Sequence, residues 1–357
     1  MRQHPLMTQL RTPLCSALGI DYPIFSVGFG VSAGPELASA VSNAGGCGVL
    51  GASSGALTMD ELRRRVRRCR DLTDRPFGIN FIIAGFEDPE ATEEDLAWTL
   101  DRVQMAIEEH VPLLVLFWGD PSRFVEDAHR GGMKVFVQVG SVEEAKSAVS
   151  AGVDGIIAQG IEAGGHVKGT TSVWELVPAM AEAVTPVPVL ASGGIGDGVG
   201  IVRALRLGAQ GVSLGTRFVA SGEAYIHQLY KQRVAESSAE DTFYSEDLFN
   251  LGWPGAPHRV LKNKAFEEWD AAGRPPPGHR PGEGEPIGRR RYPWGAEDEW
   301  PRYATGMLVP EFEGDPELAP MWAGESVSVI NEVKPAGEIV RDLVREAEAA
   351  LAENPGG

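Results

Sequence analysis

Short apolar runs alternate with helical patterns through the first two-thirds of this 357-residue chain, and no other feature constrains the fold as tightly. The runs that read as strands are Pro23–Val27, Cys47–Ala52, Phe77–Ile83, Leu113–Trp118, Lys134–Val139, Gly155–Gln159, Val187–Ala191 and Gly211–Thr216. Between them, Glu36–Ala44, Met59–Asp71, Glu93–Glu109, Val142–Ala151 and Val199–Leu207 repeat apolar residues every three or four positions. That is the pattern of a helix covering one face of a sheet. Eight strands each followed by a helix is the count that closes a barrel, so the expected class is α/β, a (β/α)8 TIM barrel.

Two echoes support a repeating unit: Ser42-Asn43-Ala44-Gly45-Gly46 and Ser150-Ala151-Gly152-Val153-Asp154. Each ends a helix on glycine, which accepts the left-handed backbone common at helix C-termini, and a strand follows at once. From about Glu236 to Glu332 the alternation stops. This stretch carries GRPPPGHRPGEGEPIG and the residues Trp253, Trp269, Trp294, Trp300 and Trp322. Its proline and glycine oppose long helices and central strands, while its tryptophans oppose disorder. The expected organisation is a barrel over residues 1–235, an irregular insertion packed on it over 236–332, and a closing helix within 333–357. The insertion reads equally as a lid over the site or as a surface appendage. The helix, about Ala336–Leu351, carries an apolar stripe of Ile339, Val340, Leu343 and Val344.

The net charge of −18 repels nucleic-acid phosphates and anionic membrane surfaces, leaving a small-molecule substrate as the expected partner and oligomeric state open. Cys15, Cys47 and Cys69 have no CxxC or Cys/His spacing, which opposes a zinc site or disulfide framework and fits a reducing cytoplasm. The N-terminal stretch has neither an 18-residue apolar run nor a signal-peptide pattern, so the protein is expected to be soluble and cytoplasmic.

Barrel enzymes place their chemistry at the C-terminal ends of the strands and often hold phosphate after strands 7 and 8. Glycines cluster there: Ala191-Ser192-Gly193-Gly194-Ile195-Gly196-Asp197-Gly198 after one strand, Leu214-Gly215-Thr216-Arg217 after the next. Without a Cβ, such turns let backbone N–H groups approach phosphate oxygens, and a following helix N-terminus adds partial positive charge. The plainer reading is a pair of tight βα turns. Gly46-Cys47-Gly48-Val49-Leu50-Gly51 spells GxGxxG, but it follows a helix and lies on a strand, so it reads as packing. After the sixth strand comes AQGIEAGGHVKG, in which flexible backbone would carry His166 to the barrel mouth, where an imidazole can exchange a proton near neutral pH. His4, His110, His129, His227, His258 and His279 lie in helices, the tail or the insertion and read as bystanders. The basic runs Arg63–Arg70 and Arg289–Arg291 read as a solvated helix face and as insertion surface.

AQGIEAGGHVKG, LASGGIGDG and SLGTRF, with FGINF and AVSNAGGCGVLG upstream, resemble the nitronate monooxygenase family and the related flavin-dependent enoyl-acyl-carrier-protein reductase II enzymes. The resemblance runs from about Pro23 to Phe218 and resumes at MWAGESVSVINEVKPAGEIV. It implies a barrel that binds FMN without a covalent link. Asn80, Gln138 and Gln159 would lie along the flavin, with Gly165 and Ser192 beside them. Gly193, Gly194, Gly215 and Thr216 would hold its phosphate. His166 falls on the family's active-site histidine, the base that takes the proton next to a nitro group.

Where the family usually has Gln-Ala-Pro-Met-Ala/Gly after its first strand, this chain has Ser26-Val27-Gly28-Phe29-Gly30. Gly28 and Phe29 therefore imply a reshaped substrate pocket. The leading expectation is oxidation of a nitronate or nitroalkane by oxygen to a carbonyl product and nitrite. An NAD(P)H-dependent flavin reductase acting on an enoyl thioester or quinone is the alternative. A third reading is a flavin-binding protein without catalysis. No metal ligand set is expected.

Overall fold

The apolar runs pair side by side into a parallel sheet that curls back on itself. The computed structural model describes residues 10–88 and 90–353; His4 and the outer parts of both terminal stretches lie outside them. In chain order the strands are β1 Ile24–Ser26, β2 Gly48–Gly51, β3 Phe77–Ile82, β4 Leu113–Phe117, β5 Lys134–Val139, β6 Gly155–Gln159, a two-residue β7 Gly165–His166, β8 Val189–Ser192 and β9 Gly211–Leu214. All but β7 form one eight-stranded sheet ordered β1-β9-β8-β6-β5-β4-β3-β2. A parallel bridge between Phe25 and Cys47 joins its two ends, giving the (β/α)8 barrel.

Helices alternate with these strands: α1 Pro13–Leu18, α2 Pro35–Asn43, α3 Met59–Leu72, α4 Glu93–Glu108, α5 Ser122–Arg130, α6 Val142–Ser150, α7 Val173–Ala183, α8 Gly198–Arg206 and α9 Thr216–Val219. Side-chain caps start several of them, with Thr58, Ser141 and Asp197 accepting from the backbone N–H of Glu61, Glu144 and Gly200. Gly45 and Gly152 both follow helices at φ +95°, as the two echoes require. Inside the barrel, Phe25, Val49, Val115, Phe136, Ile157 and Leu190 pack in one cluster that α1 joins through Leu14 and Cys15. Burying each such side chain contributes roughly 1.5–3 kcal/mol. In the GxGxxG run, a Cβ on Gly48 would stand 1.9 Å from the Ala38 carbonyl oxygen, and one on Gly51 equally close to that of Gly30. Those glycines serve close helix–strand packing.

The chain continues through α10 Gln228–Glu236, β10 Thr242–Ser245, β11 His258–Leu261, α11 Lys264–Ala271, β12 Pro286–Arg291, β13 Glu297–Pro301, β14 Phe312–Gly314 and α12 Ala336–Glu353. The stretch 236–332, expected to be irregular, thus carries five short strands and a helix between its turns. Two three-stranded antiparallel sheets result, β10-β11-β7 and β13-β12-β14. The first of them reaches into the barrel loops to pair with β7. Finally, α12 packs on α8 and α2 and completes the outer ring.

The basic run in α3 is not a uniformly solvated face. Arg63, Arg67 and Arg70 converge on Glu109, while Arg65 is buried and donates to the Val31 carbonyl at 2.8 Å. Among the described residues, no helix is long and apolar enough to cross a membrane.

Candidate active site

Every candidate residue named above lines one cavity at the C-terminal ends of the barrel strands. Gly28, Phe29, Asn80, Gln138, Gln159, Gly165, His166, Ser192, Gly193, Gly194, Gly215 and Thr216 all face it. About 1290 Å³ inside it is free of atoms, open mouth included, which suits a ligand of mononucleotide size. Among the described residues lining it there is no Asp, Glu, Lys or Arg.

The glycine turns have the geometry of a cradle. Gly193 and Gly194 sit at φ +105° and +67°, a region that strongly favours glycine. A Cβ on Gly193 would come within 2.9 Å of the Ala163 nitrogen. The contribution expected from the following helix is not available, because α8 begins already capped. Asp197 accepts from Gly200 N–H at 2.7 Å, and Glu346 accepts from Gly198 N–H at 3.0 Å. An anion would instead meet the Gly193–Ile195 turn and the Gly215-Thr216 corner. There the Thr216 hydroxyl accepts from Gly324 N–H at 3.0 Å and keeps its own proton to donate. Ser192, Ser213 and Ser326 add further hydroxyls to the lining.

His166 does not ride on flexible backbone. Strand β7 pairs antiparallel with β11, setting His166 opposite His258 and Gly165 opposite Arg259. The Gln159 amide donates to the His166 carbonyl at 2.8 Å and accepts from Lys168 N–H at 3.1 Å, bracing the loop from the barrel side. Arg259 donates to the Ile161 carbonyl at 3.0 Å. Gln159, expected beside the flavin, therefore has most of its amide engaged in holding this loop. Asn80 Nδ2 donates to the Val115 carbonyl at 3.2 Å. Gly28 also serves packing, since a Cβ there would lie 2.6 Å from Asn80 Cβ.

The imidazole of His166 lies against two indoles, each tilted to it. Trp253 lies 4.3 Å away at 35°, and Trp322 lies 5.1 Å away at 38°. Its Nε2 is fully buried and has no hydrogen-bond partner, although the residue as a whole is only half-buried. Burial, reinforced by repulsion from His258, pulls its pKa down to about 3, so the ring is neutral over the physiological range.

Reading the sequence locally missed several residues here. His258, dismissed with the insertion, sits 6.0 Å from His166. Trp253, Trp322, Tyr230 and Met307 also line the cavity. The density of tryptophan in the insertion was the one available signal.

A family model described as nitronate monooxygenase matches residues 11–346. The chain is 31% identical over 376 residues to a nitronate monooxygenase of Paraburkholderia phytofirmans, covering 95% of this chain and 96% of that one. It is 33% identical over 268 residues to the (3aS,4S,5R,7aS)-5-hydroxy-7a-methyl-1-oxo-octahydro-1H-indene-4-carboxyl-CoA dehydrogenase of Mycobacterium tuberculosis, covering 74% of this chain and 70% of that one. Among solved structures it is similar to FabK from Thermotoga maritima, at 32% identity and TM-score 0.76, covering 98% and 99% of the two chains.

Proposed function

The chain belongs to the nitronate monooxygenase family and is an oxidoreductase; from that premise we propose that it oxidises a nitronate with oxygen, using FMN. The observation that carries this reading is the pairing of features in one cavity. His166, whose Nε2 is buried and unpartnered, and the left-handed glycine turn at Gly193-Gly194 both line it.

The donor set suits FMN. Backbone N–H groups and the hydroxyls of Thr216, Ser192 and Ser213 are of the kind that bind a phosphate monoester without a lysine or arginine. Asn80 and Gln138 offer amides to the polar edge of a flavin ring. FMN, when bound, supplies the electron acceptor for the oxidation. The protein supplies position and proton control. A neutral imidazole has a lone pair free to accept the proton next to a nitro group, and no lining carboxylate competes for it. The anion so formed favours the protonated ring and is held against it. An already ionised nitronate enters at that stage without a base.

The test is oxygen uptake and nitrite release by the FMN-loaded protein with propionate 3-nitronate and with 2-nitropropane. Removing the base in His166→Ala lowers turnover of 2-nitropropane by about 100-fold or more, and that of the nitronate by much less. Absence of turnover of either compound refutes the reading.

The likeness to FabK over nearly the whole chain supports a second reading, an NAD(P)H-dependent flavin reductase acting on an enoyl thioester or quinone. Anaerobic mixing with NADH or NADPH separates the two: rapid bleaching of the flavin band favours the reductase.

A further inference from the structure

The aromatic rings around His166 continue beyond its two neighbours. Trp118 lies 5.1 Å from Trp253, so Trp118, Trp253, His166 and Trp322 form one run of rings across the barrel mouth. Its members are fixed to different degrees. Trp322 is pinned by its indole N–H, which donates to the Gly306 carbonyl at 2.6 Å. Trp253 instead rides on a turn between exposed Gly252 and exposed Gly255, at φ +94° and +72°, and nothing stands within 4 Å of where a Gly255 Cβ would be.

Asn250 and Leu251 are tied down by Arg280 and by a bridge to Ala304, and the base of the remaining turn is spanned by one side chain. His258 Nε2 accepts from the backbone N–H of Phe249 at 3.0 Å, and its Nδ1 meets the Ala256 carbonyl at 3.1 Å. Because Nε2 accepts, the proton resides on Nδ1, which donates to Ala256. A single fully buried imidazole thus bridges the two ends of the segment 249–256. With both nitrogens engaged, His258 has none left to exchange a proton with His166. Its action there is through position.

We propose that Trp253 is a lid over His166 and that His258 is the positioning residue that holds the lid closed. The proposal rests on His166 as the reactive side chain of the site. In the closed arrangement Nε2 is cut off from solvent, so chemistry at that atom requires the 249–256 turn to lift. Gly252 and Gly255 are the positions able to absorb the backbone change, and Trp253 sets how bulky a substrate can be when the turn closes again.

The test is labelling of neutral histidines by diethyl pyrocarbonate, mapped by mass spectrometry on the protein as purified with its bound cofactor, with His227 as internal reference. Relative to His227, Trp253→Ala raises the rate at His166 by about tenfold, and the aromatic replacement Trp253→Phe keeps it within about twofold of wild type. His258→Leu raises it similarly, and the double variant His258→Leu/Trp253→Ala labels no faster than Trp253→Ala alone, because both act on one opening. An unchanged rate in Trp253→Ala overturns the lid. Multiplying effects in the double variant, or an equal rise at His227, overturns the role of His258. Labelling needs no turnover, so failure here is distinct from failure of the nitronate reading.

Discussion

Taking this protein from pH 7.5 to pH 5 destabilises the fold by about 2 kcal/mol through His258 alone. An unfolded imidazole titrates near 6.5, whereas burial holds that of His258 down at about 4. The hydrogen bond to Ala256 and the charge of Asp247 push it up, and Arg280 pushes it down; His166, across the sheet, is the other titratable neighbour. Because the folded value is the lower one, the stabilisation is complete above 6.5 and is lost as the pH falls toward 4. At pH 5 the unfolded imidazole is about 97% protonated and the folded one about 10%, which integrates to about 2 kcal/mol. His166, held at about 3, adds about as much at the same pH, because both folded rings are still essentially neutral there. The assay is equilibrium urea unfolding by circular dichroism at both pH values and fixed flavin concentration. His258→Gln and His166→Gln each lose about 2 kcal/mol less than wild type between the two, and the double variant about 4 kcal/mol less. Carboxylates titrate alike in all four proteins and cancel. A wild type and His258→Gln whose losses agree within about 0.5 kcal/mol refute the claim that these rings are folded in the neutral form.

Gly194→Asp is expected to strip the cofactor: φ is +67°, a Cβ there stands 3.0 Å from Glu162 Cβ, and the substitution adds bulk and negative charge in the turn proposed to hold the phosphate. Flavin absorbance per mole of purified protein checks it, and full colour refutes the cradle. Gln159→Leu removes both bonds bracing the His166 loop and lowers kcat by about tenfold or more, as expected for losing two part-buried hydrogen bonds. An unchanged kcat removes Gln159 from that role. Finally, a net charge of −18 repels an anionic nitronate, so raising ionic strength increases kcat/KM for propionate 3-nitronate and leaves that for neutral 2-nitropropane unchanged. Equal salt responses of the two refute it.

The barrel was legible because its signal is local. Lys134–Val139 and Gly155–Gln159 are strands over the residues their apolar runs suggested, and the glycine after each helix fell where the left-handed turn is found. Local patterning also set aside the GxGxxG run correctly, since a strand glycine after a helix cannot cradle a phosphate. It failed at α8, whose N-terminus looked open to an anion. The carboxylate of Glu346 that occupies it arrives from the far end of the chain, 148 residues away.

The insertion was opaque because its strands carry no apolar period, and that matters for the site. Strand β12 reads PIGRRR and β13 reads EDEWP, charged sequences stabilised by cross-strand pairs such as Arg290 with Asp298 rather than by an apolar period. Strand β11 pairs with a β7 only two residues long and about 90 positions earlier, and two residues show no period at all. Yet that pairing sets His166 opposite His258, and the insertion lays Trp253 and Trp322 on its ring. Part of the burial that lowers its pKa comes from residues that a reading of the motif around His166 never meets. Variation in the insertion is therefore expected to tune the chemistry of a histidine it does not contain.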